Sequence, residues 1–181
     1  QELLRSEDRL ACSADRLETA AIQAARYLGV SVDIDLDPAF EEKGIDLDRV
    51  TLAVSEPLLD IVFRESFSAV GDLNQKPNLT VSILPEEQSV NLVISPREGK
   101  EAGLFAQSLS DYLSRSRANR KSSDLISLRV ALLQRIADRL DGRLDVAPNR
   151  HGLLISLPLD PEQGWRRQPH QTLNLARAFL G

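Results

Sequence analysis

Apolar residues recur along residues 1–28 in two interleaved rows. Leu3, Leu10, Leu17 and Ala24 stand seven residues apart, and Ala14, Ala21 and Leu28 follow Leu10, Leu17 and Ala24 by four. Arg5, Asp8, Arg9, Asp15 and Arg16 flank this narrow seam, so the spacing predicts one helix over 1–28. Gly29 is placed to end it as a C-cap. A seam this narrow, lined by small alanines, suits close approach of another helix, in a helical hairpin or a dimer stem. The alternative is a helix that packs the same seam on its own domain.

From residue 30 the period changes. VSVDIDLD (30–37) alternates apolar and acidic residues, as a half-buried strand does, and Pro38 closes it before the turn EEKG. RVTLAV (49–54) reads as a second strand. SEPLLDIVFRESFSAV (55–70) returns to helical spacing, with Ser55 as N-cap and Pro57 in the first turn. Its core face is Leu58, Leu59, Val62, Phe63 and Phe67. The loop GDLNQKPN leads to LTVSILP and SVNLVIS, whose short EEQ connection predicts a β-hairpin. Leu104, Phe105, Leu109, Tyr112 and Leu113 keep helical spacing over 101–116, ahead of the basic loop SRSRANRKSS. A helix over 124–140, strands over 143–147 and 153–159, and a short helix over 171–180 complete the chain.

This order predicts an α/β (α+β) two-layer sandwich, a mixed sheet of five to six strands with helices on one face, preceded by a long N-terminal helix. The chain divides into a stem helix (1–29), the sandwich domain (30–160) and a C-terminal extension with a short helix (161–181). Composition agrees: 181 residues, 42% apolar and 27% charged, suit a globular domain of this size. A net charge of −5 and a pI near 5.1 argue against a general nucleic-acid binder, which needs a basic face. No apolar run approaches the ~20 residues of a membrane helix. With Cys12 alone there is no disulfide framework, and a reducing, cytoplasmic setting is expected. The chain opens on Gln1 and contains no methionine, which reads as a piece of a longer protein.

Two motifs narrow the picture. LQRIADRLDGRLDV is a helix running into a turn through Gly142 and Arg143, and HGLLISLPL is a strand ending in Leu-Pro. With the order of elements over residues 30–159, they resemble the ATP-binding catalytic domain of sensor histidine kinases, in the wider family of Bergerat-fold ATPases. The first helix then looks like the second helix of a dimerisation and phosphotransfer stem. In the family two glycines open the helix after the lid, and counting back from Gly142 places them on Ser127 and Arg129. LLDIVFRESFSAV resembles the helix whose two asparagines stand four apart before an alanine. Ala69 matches that alanine, which puts the asparagine positions on Arg64 and Ser68, with Glu65 one residue out of register. VNLVISPREG resembles the strand leading to the family's Asp-x-Gly-x-Gly loop, with Pro96 at the aspartate and Glu98 at the first glycine. The adenine end would lie near Ser95–Gly99, the metal near Ser68 and the phosphates near Ser127–Arg129.

Each replaced residue has a physical job. The aspartate accepts a hydrogen bond from the adenine amino group, and proline has no such acceptor. An asparagine offers Mg²⁺ an amide oxygen; Ser68 is shorter, and Arg64 brings a positive charge. The lid glycines let backbone N–H groups approach phosphates, where Arg129 places a side chain. The resemblance therefore implies two functions. In one, the frame persists with little or no ATP binding and no cofactor. The module is then a homodimeric scaffold, joined through Leu3, Leu10, Leu17 and Ala24, for a response-regulator receiver domain. In the other, ATP and Mg²⁺ bind, and the module phosphorylates a histidine outside the chain. A third reading is an unrelated α/β binding domain sharing only strand order.

Other chemistry finds less support. His151 sits in a turn and His170 in the tail, and neither has the helical setting of a phospho-acceptor. No Cys/His cluster has metal-ligand spacing, and no nucleophile elbow supports a Ser-His-Asp triad. Asp33, Asp35 and Asp37 share a strand face, which reads as a solvated face before a cation site. The basic RSRANRK loop reads as a lid-like segment that needs no ligand, or as a contact for phosphate or an acidic partner.

Overall fold

Helix α1 (Arg16–Leu28) ends where its sequence predicts. Gly29 takes the left-handed φ of 67°, and its N–H and that of Val30 donate to the carbonyls of Arg26 and Ala25. The start differs from the expected helix over 1–28. Cys12–Ser13 form a short strand, β1, because the N–H groups of Cys12 and Ala14 donate to the carbonyls of Val54 and Val50, at 3.1 and 2.8 Å. An unbroken heptad carries no signal for this break, since the backbone partners lie far along the chain. The computed structural model describes residues 12–72, 78–97, 110–111, 114, 125–147 and 152–160. Leu3, Leu10, Gly99, His151, His170, the basic loop and the tail helix lie outside these residues. Of the predicted helix 101–116, residues 110, 111 and 114 are described and are helical.

Leu17, Ala21 and Ala24 are wholly buried in the chain's own core. There α1 packs against α3 (Glu56–Asp72) and over β2 (Ser31–Leu36). Leu17 and Ala24 are therefore not available to a partner, which corrects their placement in a dimer seam. The small side chains that suggested close helix approach serve it inside one chain.

Between β2 and α3 the chain makes a short helix α2 (Ala39–Glu42), a 3₁₀ turn at Leu47–Arg49 and a strand β3 (Thr51–Leu52). Asp37 accepts the Ala39 N–H at 2.8 Å, and Phe40 anchors the turn in the core. The expected strand over 49–54 shrinks to β3, which pairs antiparallel with β1 and stays out of the main sheet. Ser55 receives the Leu58 N–H at 3.4 Å, as its predicted N-cap role requires.

The main sheet adds β4 (Asn78–Pro85), β5 (Ser89–Pro96), β6 (Arg143–Ala147) and β7 (Gly152–Pro158), in the order β2–β4–β5–β7–β6. Only the β2–β4 pairing is parallel. It is the expected mixed sheet, with five strands and a separate two-stranded ribbon. One face carries Leu79, Val81, Ile83, Leu92, Ile94, Leu153, Ile155 and Leu157, all buried. Onto it pack α1, α3 and α4 (Leu125–Arg139), side by side. The alternate positions, among them Asp35, Ser82, Asn91 and Ser156, form the other face. Helix α4 enters β6 through a tight turn in which Asp141 takes a φ of 55°. Gly142 follows because a Cβ there would stand 2.3 Å from the Ser156 carbonyl oxygen. Among the described residues no helix is long and apolar enough to cross a membrane.

Candidate functional site

Because the turn at Gly142 reverses the chain, α4 runs back over the sheet from its junction with β6. Its first turns therefore lie toward the end where β5 stops at Pro96. Helix α3 packs alongside, so Glu65 and Ser68 lie on the helix next to the first turns of α4.

The side chains there meet unlike partners. Arg129, on the second turn of α4, places Nη1 3.1 Å from Oε2 of Glu65 on α3. Both side chains are about a quarter exposed, at 25% and 26%. Arg64 turns away from α4. Its guanidinium lies 3.0 Å from the Asp60 carboxylate and 4.0 Å over the ring of Tyr27 on α1. Neighbouring residues on a helix point 100° apart, so Arg64 and Glu65 reach the two flanking helices. Ser68 is half-buried one turn further on. Pro96 is buried, opposite Leu79 in the hairpin. Ser127 lies in the first turn of α4.

The structure thus places Arg129, Ser68, Ser127 and Pro96 at one end of the molecule and turns Arg64 toward α1. Glu65 is the residue that sequence reasoning passed over. Its signal was a register one position from Arg64, where the resemblance puts an asparagine, and only the neighbouring helix makes it meaningful.

Three other features bear on chemistry. Asp33 pairs with Arg97 at 2.7 Å and Asp37 caps α2, so two of the three DIDLD carboxylates have structural tasks, and Asp35 is exposed. Among the described residues no cluster of three or more His, Cys, Asp or Glu is arranged to hold a metal. Burial pushes the Cys12 thiol up to about 11, with the Glu56 carboxylate adding to the effect. It is no activated nucleophile. An open cavity of about 750 Å³ lies at the opposite end of the sheet, between the β4–β5 turn at Glu86–Ser89 and the turn at Asp141–Arg143. It is remote from the start of α4.

No protein-family model matches the chain, and no curated protein matches it in sequence. Solved structures match its fold. The ATP-binding domain of PrrB from Mycobacterium tuberculosis aligns with a TM-score of 0.51 at 17% identity, over 84% of this chain and 98% of that one. The catalytic domain of the histidine kinase ThkA aligns at 0.52 and 11% identity, over 84% and 97%. Full-length ShkA in complex with AMPPNP aligns at 0.50 and 11% identity, over 88% of this chain and 32% of that one. The chain has the HATPase-like fold of histidine-kinase catalytic domains. At these identities the likeness is one of fold, and the side chains must decide the chemistry.

Proposed function

We propose that the chain is a histidine-kinase-like module of a two-component system that works without ATP, as a scaffold or regulatory partner of a response-regulator receiver domain. The observation that carries this reading is the Glu65–Arg129 ion pair between α3 and α4, where the resemblance puts the phosphates. The cation that a bound phosphate would meet already meets a carboxylate. Around it, Pro96 offers no acceptor to an adenine amino group, Ser68 offers a hydroxyl in place of an amide oxygen, and Arg64 is engaged by Asp60 and Tyr27.

Calorimetric titration with ATP·Mg²⁺ should show a Kd no better than millimolar, about 4 kcal/mol of binding free energy. A micromolar Kd that weakens in Arg129→Ala or Ser68→Ala establishes the other reading, an ATP-dependent kinase acting on a histidine elsewhere. The fold it shares with ATP-binding domains is what favours that alternative.

A homodimer and a cytoplasmic setting belong to the same proposal. With Leu17 and Ala24 in the core, the dimer seam rests on Leu3 and Leu10. A dimer that Leu10→Asp converts to monomer in sedimentation supports the stem, because an unpaired charge cannot stay buried in such a seam. A monomeric unmutated chain removes it.

A further inference from the structure

The open cavity at the far end of the sheet, about 750 Å³, has the size of a small-molecule pocket. Four carboxylates line it: Glu86 and Glu87 on the β4–β5 turn, Asp141 beyond α4 and Asp160 after β7. Among the described residues of the lining, Arg143 is the one cation. Ala53, Leu140, Pro158 and Leu159 supply apolar wall. Yet among the described residues no three carboxylates, histidines or cysteines converge as a metal ion requires. Negative charge spread around an apolar wall suits an extended cation, with separated charges on an alkyl stem.

A second observation lies deeper. Ser156 donates to Ser89 at 3.1 Å and Ser89 to Glu86 at 3.2 Å, so hydroxyls lead inward from the rim. Opposite Ser156 in the β5–β7 pairing stands Asn91, whose side chain leaves the sheet on the same side. Asn91 is only 7% exposed, and its Oδ1 has no hydrogen-bond partner. A buried acceptor left unpaired costs stability, and what it lacks is a donor. The rim carboxylates and this amide oxygen are matched by the same chemistry, N–H groups on a positive charge.

We propose that the cavity binds a linear polyamine. One ammonium sits between Glu87 and Asp141, the alkyl stem lies on the apolar wall, and a second ammonium at Ser89 and Ser156 supplies the donor that Asn91 lacks. The terminal torsion of an asparagine is soft, so the Asn91 amide can turn toward it. The site is independent of nucleotide binding, because it lies at the other end of the sheet from the start of α4.

Calorimetric titration of the full chain with spermidine at low salt tests this. The unmutated chain should bind one equivalent, less tightly as salt is raised. Glu87 and Asp141 are exposed, and Glu87→Gln/Asp141→Asn should weaken binding at least about tenfold. Asp35→Asn/Asp145→Asn removes the same charge outside the cavity and should weaken it less than about twofold. Asn91→Leu changes no charge and should weaken it about threefold; should it misfold by circular dichroism, Asn91→Ala carries the same comparison. Three results overturn the proposal: no saturable binding to the unmutated chain, equal loss in the two acidic pairs, or full affinity without the Asn91 amide.

Discussion

Helix α3 is held on its two sides by different means. Toward α1 the contact is close and apolar, with Leu17, Ala21, Ala24 and Ala25 buried. Polar groups frame it: Arg16 meets Glu56 at 2.9 Å, and Arg64 stacks on the largely exposed Tyr27. Toward α4, Val130, Leu133, Ile136 and Ala137 reach the core, but the helices are also bridged by the Glu65–Arg129 pair. On α4, Leu128 and Leu132 stay 59% and 41% exposed. The first interface removes apolar surface from water and stabilises the fold. The second adds to its buried residues a charge pair whose desolvation offsets much of its attraction. A fold tolerates such local inconsistency most readily where a site is, or was, built.

The contrast breaks most visibly at Leu17. This side chain is fully buried, and Leu17→Ala should cost about 2–5 kcal/mol through lost burial and the cavity left behind. The expected readout is a lower denaturation midpoint with unchanged oligomeric state. A loss below about 1 kcal/mol, together with weaker self-association, would return Leu17 to a dimer seam.

At the rim of the same interface, Cys12 should be alkylated about a hundredfold more slowly at pH 8 than an exposed thiol, given its rise from 9.0 to about 11. A thiol whose folded pKa is raised keeps its proton where the unfolded chain releases it. Stability should therefore be full below about pH 9 and fall as pH rises toward 11. Rapid labelling of the native chain at pH 8 would show that β1 does not shelter the thiol.

Smaller effects sharpen the polar side of the comparison. Arg64→Ala should lower stability by about 0.5–1 kcal/mol, the range for a cation stacked on an exposed ring. A thermal midpoint that does not move would mean that Arg64 is idle on α1. Smallest of all, a double-mutant cycle through Glu65→Gln and Arg129→Gln should give a coupling below about 1 kcal/mol. A coupling well above 2 kcal/mol would make the α3–α4 bridge a stabilising contact like its neighbour, and the contrast would vanish.

Wherever the sequence pattern was local and repeated, it was legible. The cap at Gly29, the Ser55 N-cap, the core face of α3, the hairpin β4–β5 and the break at Asp141–Gly142 all follow from short-range rules of spacing, capping and turn chemistry. Of the proposed site, the sequence singled out Arg64, Ser68, Pro96, Ser127 and Arg129, but could not show that Arg64 faces α1 while Glu65 faces α4. A helix pattern states which residues share a face and leaves open which neighbour that face meets.

By itself, then, the sequence determined the type and order of most elements and their apolar faces, because each depends on residues a few positions apart. Tertiary structure alone decided three further matters. It turned Cys12 and Ser13 into a strand, through hydrogen bonds to Val50 and Val54. It spent Leu17 and Ala24 inside the chain, because α3 and β2 lay where a partner helix was expected. And it set Glu65 against Arg129, 64 positions apart, since only packing of α3 beside α4 brings these two charges within bonding distance.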